Sequence, residues 1–248
     1  MKRIVFLLSG IATVFTLHAQ ENNTGTIVYE QVVKLEIKLE GDAAQFADML
    51  PKERKSEKVL YFNSEASLYE NKDVTEDETM SMSSGEGNVM IKMKEPENKV
   101  YTDLKEKKQL EQREFMTRLF LIEDEVSQEW KITGNQKMIL DFPCQEAVTE
   151  IDSVKTTAWF TPVIPVSTGP ASYGGLPGAI LSVETDNGKR TILATSVEFS
   201  EIGEYVLVQP KKGKKVTRDE FDQIVEEKME EMGAQKGEGG HMMIRIQR

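Results

Sequence analysis

The sequence predicts a mainly β (α+β) protein, built as a large curved antiparallel sheet or half-barrel meander with one C-terminal amphipathic helix. Most of the chain after residue 25 consists of strand-length runs in which apolar and polar side chains alternate, separated by short polar turns. Asn187-Gly188 lies between two such runs and supplies the positive φ that a tight hairpin needs. Residues 218–232 instead repeat their apolar side chains at helical spacing.

Residues 1–19 predict a secretory signal peptide. Lys2 and Arg3 precede an apolar run over 4–17, and Ala19-Gln20 offers a small-residue cleavage point. A membrane anchor would need about 20 uninterrupted apolar residues, and no later stretch of the sequence is apolar enough to span a bilayer. We therefore expect a periplasmic or secreted protein without an integral membrane segment after signal cleavage.

The remaining pattern divides into short strands. In the N-terminal half, residues 43–50 predict a helical turn that Pro51 ends, and residues 73–88 predict a loop because they are polar and lack periodicity. Short polar turns between the C-terminal runs favour an antiparallel meander. The predicted strands cover 26–37, 57–63, 67–72, 88–94, 99–103, 112–123, 130–133, 136–142, 144–152, 155–160, 178–184 and 190–199.

A capping box marks the start of the one predicted long helix. The Thr217 hydroxyl can cap the third helical amide while the Glu220 carboxylate reaches back to the Thr217 amide. Apolar residues then recur on one face until Gly233. We expect a single β-rich domain over 20–232, followed by a Gly-rich linker and tail over 233–248, with an edge strand at 243–246.

Composition argues against several classes of function. The chain has 42 acidic and 31 basic side chains and a formal net charge of −11, so it should repel nucleic acid. The short basic run at 211–215 is interpreted as a solvated loop. Cys144 is the single cysteine and is predicted to be a small buried thiol.

Histidine is nearly absent, which bears on catalysis. Once His18 leaves with the signal peptide, only His241 remains, so His-dependent hydrolysis and His-rich zinc sites are not expected. We predict that the protein is not an enzyme and needs no cofactor. A carboxylate-based hydrolase stays open, because so many acids could include a catalytic pair.

Residues 157–183 form the most Pro- and Gly-dense stretch of the chain. Its prolines forbid continuous strand pairing, so the chain should leave the sheet after Phe160 and re-enter at Ala179. Pro177-Gly178 predicts a type II turn, in which glycine takes the positive-φ position. Trp159, Phe160 and Tyr173 could roof one end of the core and contact a ligand.

The hexapeptide Gly175-Leu176-Pro177-Gly178-Ala179-Ile180 resembles the signature of the GLPGLI family, exported proteins found mainly in Bacteroidota. The surrounding residues are also similar, and Ala179 departs from the usual leucine. The resemblance implies an exported β-rich fold and carries no established activity. The segment residues that we expect to matter, structurally first, are Trp159, Pro165, Gly169, Pro170, Gly175, Leu176, Pro177, Gly178 and Ile180.

Two functional hypotheses follow. The first is a non-enzymatic binding or interaction module of the cell envelope, whose curved sheet presents an apolar concavity to a lipid-like ligand, an acyl chain, a peptide or an envelope protein. The alternative is periplasmic binding of copper or a similar metal, since thioethers and one imidazole suit copper(I). The candidate metal ligands are Met80, Met82, His241, Met242 and Met243.

Overall fold

The computed structural model describes residues 22–38, 51–72, 78–84, 87–93, 96–151, 153–203, 205–234 and 243–245. The predicted signal peptide and the predicted helical turn at 43–50 lie outside these residues, as do His241 and Met242. Among the described residues, no helix has the length and apolar character needed to cross a bilayer.

Twelve strands of the described chain form one open, curved sheet, which confirms the predicted fold class. The strand bounds are β1 Gly25–Lys34, β2 Glu36–Lys38, β3 Glu53–Phe62, β4 Ala66–Asn71, β5 Glu78–Ser84, β6 Gly87–Met93, β7 Asn98–Asp103, β8 Lys108–Phe115, β9 Arg118–Glu125, β10 Lys131–Ile139, β11 Phe142–Ile151, β12 Val154–Thr161, β13 Ala179–Thr185, β14 Arg190–Glu198, β15 Lys214–Thr217 and β16 Met243–Arg245. The order of strands in the large sheet is β10-β11-β12-β13-β14-β1-β3-β4-β7-β8-β9-β15. The other strands form two pairs, β5 with β6 and β2 with β16.

Two meanders make up the large sheet. The first runs from β1 through β9, the second runs from β10 to β14, and they join where β1 pairs antiparallel with β14. The Asp186–Gly188 turn joins β13 to β14 with positive φ at Asn187 and Gly188, so the hairpin predicted there is confirmed. The interpretation of the basic run as a loop is partly wrong, because β15 pairs in parallel with β9.

One face of the sheet carries the main core, and we call it the inner face. Ile27, Tyr29, Leu60 and Phe62 are at most 1% exposed there, and the Tyr29 ring packs edge-on against Tyr69. Side chains two residues apart on a strand share a face. Residues that pair in register with these side chains, such as Lys58 with Tyr29 and Tyr69 with Leu60, lie on the same face.

Helix α1, Arg218–Ala234, packs against β9 and β15. Its capping box is confirmed: the Glu220 amide donates to Thr217 Oγ1 at 3.2 Å, and the Thr217 amide donates to Glu220 Oε2 at 3.0 Å. Phe221 is 1% exposed and packs edge-on against Phe120 and Phe115. The helix therefore covers one border of the sheet, as its apolar face predicts.

Two sequence predictions of the N-terminal half are wrong. The single strand predicted at 112–123 is a hairpin of β8 and β9, with φ of 48° at Met116 and 64° at Thr117. Neither residue type favours positive φ, so these positions carry no turn signal in the sequence. The loop predicted at 73–88 contains β5 and the start of β6, which pair with each other.

Candidate functional site

The Pro/Gly segment between β12 and β13 lies against the inner face rather than apart from it. Ile164, Val166 and Leu176 are at most 4% exposed. The segment also bonds to a distant strand, because Thr168 Oγ1 donates to Ser67 Oγ at 2.8 Å. Directly after the segment, the Ile180 carbonyl of β13 accepts a hydrogen bond from the Tyr29 hydroxyl at 2.7 Å. This segment thus fills space next to the main core with its own apolar side chains.

Two glycines of the segment leave no room for a side chain. A Cβ at Gly178 would lie 2.1 Å from the Thr161 carbonyl oxygen, and φ at this residue is +150°. A Cβ at Gly169 would lie 2.8 Å from the Tyr173 carbonyl oxygen and 2.9 Å from the Ile180 side chain. These positions are glycine because backbone passes directly beside them.

The turn at Pro177-Gly178 is not the type II turn that the sequence predicts. The Gly178 amide donates to Leu176 O at 2.8 Å, and the Ala179 amide donates to Ile164 O at 3.0 Å. A type II turn needs φ near +80° at the glycine and usually a bond back to the first turn residue. Positive φ at Gly178 was expected, but the Ala179 amide bonds to Ile164, which lies earlier in the same loop, and not to Leu176.

The three predicted ligand-contact aromatics do not form one surface. Trp159 and Phe160 are successive residues of β12, so they point to opposite faces. Phe160 is 1% exposed and shares a cluster with Tyr173, while the Trp159 ring lies 4.1 Å from Lys137 Nζ. Of the remaining predicted residues, Pro165, Gly175 and Pro177 are exposed, and Gly169, Pro170, Leu176, Gly178 and Ile180 are buried.

Sequence reasoning missed a polar cluster at one end of the inner face. Glu111 is the register partner of the core residue Val100, and its side chain is 3% exposed. Its Oε1 lies 2.6 Å from Arg113 Nε, and its Oε2 accepts a hydrogen bond from Arg218 Nη2 at 2.6 Å. Both carboxylate oxygens therefore lie beside guanidinium groups, whose positive charge offsets part of the cost of burying the acid, although Oε1 makes no hydrogen bond to the described residues.

Arg218 also reaches a second acid. Its Nε donates to Asp124 Oδ2 at 2.9 Å, so one guanidinium connects β8, β9 and the start of helix α1. The side chains of Arg113 and Arg218 remain 36% and 26% exposed, so solvent reaches this end of the sheet. The ion pairs thus anchor the helix without sealing the cluster.

Arg190 enters the same region from the other meander. It precedes the core residue Ile192 by two positions, and its Nη2 donates to Gln31 Oε1 at 2.9 Å. Its Nε is buried and makes no hydrogen bond to the described residues. Burial lowers the pKa of Arg113, Glu111 raises it, and the positive charges of Arg218 and Arg190 lower it further.

A fourth cation, Lys58, faces the interior. It is the register partner of Tyr29, is 4% exposed, and donates from Nζ to Asn71 Oδ1 at 2.6 Å. The inner face of this acidic chain thus collects cations at its polar end. No sequence signal could reveal them, because they come from strands far apart in the chain.

The other candidate groups are the Cys144 thiol and the predicted metal ligands. Cys144 is 1% exposed, and burial raises the pKa of its thiol to about 11, as expected for a structural thiol. Within the described side chains, no three His, Cys, Asp or Glu residues could jointly hold a metal ion. Met80 and Met82 lie on β5 and Met243 on β16, in separate strand pairs, so the copper hypothesis stays a prediction.

The family comparison gives a description without an activity. A family model described as "Protein of unknown function (Porph_ging)" matches residues 145–182, which include the Gly175–Ile180 hexapeptide. Nothing among the curated proteins matches the sequence.

Solved structures show the likeness at the level of fold. Two structures of PNGF-II, in different space groups, are similar with TM-scores of 0.55 and 0.54 and identities of 18% and 19%. Each covers 82% of this chain, whereas this chain spans 33% and 32% of their length. An uncharacterised conserved protein from Thermus thermophilus has a TM-score of 0.38 at 11% identity, covering 80% of this chain and 94% of its own.

Proposed function

We propose that this chain is an exported, non-enzymatic binding module that holds a ligand at the polar end of the inner face. The observation that carries the proposal is the collection of Lys58, Arg113, Arg190 and Arg218 on or beside that face, in a chain whose net charge is −11. Buried and half-buried cations cost desolvation energy. Several such cations in one region therefore indicate a binding role for that region.

The apolar part of the inner face is covered by the protein's own side chains, so it does not favour the apolar ligand site that the sequence predicts. Ile164, Val166 and Leu176 cover the core there, and the Tyr29 hydroxyl is bonded to the Ile180 carbonyl. A lipid tail would have to displace these buried contacts. The ligand therefore lies at the solvent-accessible polar end and not in an apolar concavity.

A binding role fits this region better than catalysis. A carboxyl group that acts as general acid or base must be able to exchange a proton with the substrate. The buried acid Glu111 instead has both oxygens at 2.6 Å from guanidinium nitrogens. The signal peptide predicted over 1–19 and the resemblance to the GLPGLI family support a role in the cell envelope, where a carrier or receptor needs no cofactor.

The experiment is native mass spectrometry of the protein purified from its own cell envelope, under conditions that preserve non-covalent complexes. An added mass that a variant of the polar end loses supports the proposal. Arg190→Gln is the variant, and Arg118→Gln is its matched control, because Arg118 is exposed at the start of β9. A bare mass for the native protein, or an added mass that both variants keep, contradicts it.

A further inference from the structure

Arg190 differs from the other guanidinium groups of the polar end. Arg113 and Arg218 both contact Glu111, whereas the hydrogen-bond partner of Arg190 is the neutral side chain of Gln31. No acid within the described residues forms an ion pair with Arg190, and its Nε is buried without a hydrogen-bond acceptor. A buried donor without an acceptor destabilises the folded chain, so such a group calls for an explanation.

The neighbours of Arg190 are also donors. Register pairing places Thr156, Thr185 and Arg190 side by side on adjacent strands β12, β13 and β14. Tyr173 shares a side-chain hydrogen bond with Thr156 and is close enough to Arg190 for the two groups to interact electrostatically. Hydroxyl groups and a guanidinium beside each other are the donor set that proteins use for oxyanions.

Charge in this region favours an anion. Arg190 also interacts electrostatically with Arg113 across the inner face, although five strand-to-strand steps separate β14 from β8 in the sheet. Glu111 and Asp124 offset Arg113 and Arg218, which leaves the charge of Arg190 without a nearby described acid. An added oxyanion would satisfy the Arg190 donor and balance this charge.

We propose that Arg190, with the hydroxyl groups of Tyr173 and Thr156 beside it, binds the carboxylate or phosphate group of a ligand. The inference rests on the proposed function and names the chemistry of its ligand. A guanidinium presents paired donors that match either oxyanion, so the shared recognition element is a group with two coplanar or near-coplanar oxygens.

The test titrates inorganic phosphate and, separately, acetate into the purified chain. The Nε–Hε signals of the arginines are followed by NMR, and affinity is measured by calorimetry at two NaCl concentrations. We expect the Arg190 signal to shift, affinity to fall at least about 10-fold in Arg190→Gln, and binding to weaken as salt rises. Arg118→Gln should bind like the wild type. A preference for one probe identifies phosphate or carboxylate as the ligand group.

A second variant guards against simple loss of folding. Arg190→Lys keeps the positive charge but removes the Nε donor, so intermediate affinity is expected together with an unchanged melting temperature. Equal binding by the wild type, Arg190→Gln and Arg118→Gln would overturn the inference, as would an unmoved Arg190 signal. A neutral ligand retained in native mass spectrometry would contradict the anion site while leaving the binding module standing. If the protein carried no ligand from the envelope but bound anions through Arg190, the anion site would stand and the proposed binding module would be contradicted.

Discussion

At the loop end of the inner face, a Cβ on Gly178 would lie 2.1 Å from the Thr161 carbonyl oxygen, whereas at the polar end the Arg113 side chain keeps 36% of its surface exposed. Backbone contact and apolar burial hold the first region. Ion pairs around one buried acid hold the second. The loop end cannot admit a ligand without breaking contacts, whereas solvent already reaches the polar end.

The difference also shows what each region tolerates. Close packing depends on side-chain shape, so a methyl group added in the loop should lower the stability strongly. An ion-pair cluster depends on charge balance, so replacing a charged side chain there by a neutral one of the same shape should lower the stability strongly. Substitutions in the two regions should therefore differ in how much stability they remove.

Gly178→Ala should be the most damaging single change, on the order of 4 kcal/mol in the free energy of unfolding. The new methyl group has no space beside Thr161, so the loop must leave the sheet. Gly134→Ala is the control, because Gly134 also has positive φ, +88°, but a Cβ added there would have no atom within 4 Å. That change should cost about 1–2 kcal/mol. Equal urea-unfolding midpoints for the two variants would show that packing does not fix the loop.

Glu111→Gln should lower the free energy of unfolding by about 3 kcal/mol, because it leaves Arg113 and Arg218 without their shared acid. Urea denaturation measures the loss. Glu65→Gln provides the comparison: its ion pair with Lys105 is exposed, so its midpoint should stay that of the wild type. A Glu111→Gln variant as stable as the wild type would mean that the polar end does not depend on charge balance.

The loop-side core should weaken at alkaline pH. Burial raises the pKa of the Cys144 thiol from its ordinary value of 9.0 to about 11. The unfolded chain therefore loses this proton first, so the stabilisation is complete below pH 9 and declines as pH rises toward 11, by about 2–3 kcal/mol in total. Stability curves of Cys144→Ala and the wild type should diverge in slope over this window. Parallel curves would place the thiol in contact with solvent.

Tyr29→Phe should cost about 1–2 kcal/mol, the smallest effect of the four, because it removes the buried bond between the Tyr29 hydroxyl and the Ile180 carbonyl. Thermal unfolding monitors the change. Tyr205 is 91% exposed, and Tyr205→Phe should leave the melting temperature unmoved. If Tyr29→Phe also had no effect, the Tyr29 side chain would be held against β13 by packing alone.

Local signals explain why much of the fold could be predicted. Alternation located most strands, Asn187-Gly188 located a hairpin, and the Thr217 to Glu220 capping box located the helix start. The hairpin at Met116-Thr117 was missed because neither residue type favours the φ that it adopts. Strand β15 was missed because its lysines resemble a solvated loop and its pairing with β9 is long-range.

The candidate site was predicted only in part, for a related reason. The Pro/Gly segment has a composition that stands out, so its residues could be named before its position was known. Arg218 and Glu111 are 107 residues apart and have no sequence pattern in common. Their contact follows from sheet order and from the helix that returns to the sheet, and neither can be read from local spacing.

The pairing of β1 with β14 also affects how fast the chain can fold. Val28 and Thr195, which contact each other where β1 pairs with β14, are 167 residues apart. The second edge of β1 can therefore pair only after most of the chain has been synthesised. Contacts of such sequence separation slow folding, and unpaired edges promote aggregation in the meantime. A chain that crosses a membrane unfolded would reach this stage after translocation. We therefore expect its yield to depend on how long the β1 edge stays open, and holdase chaperones to raise that yield more than changes in native stability do.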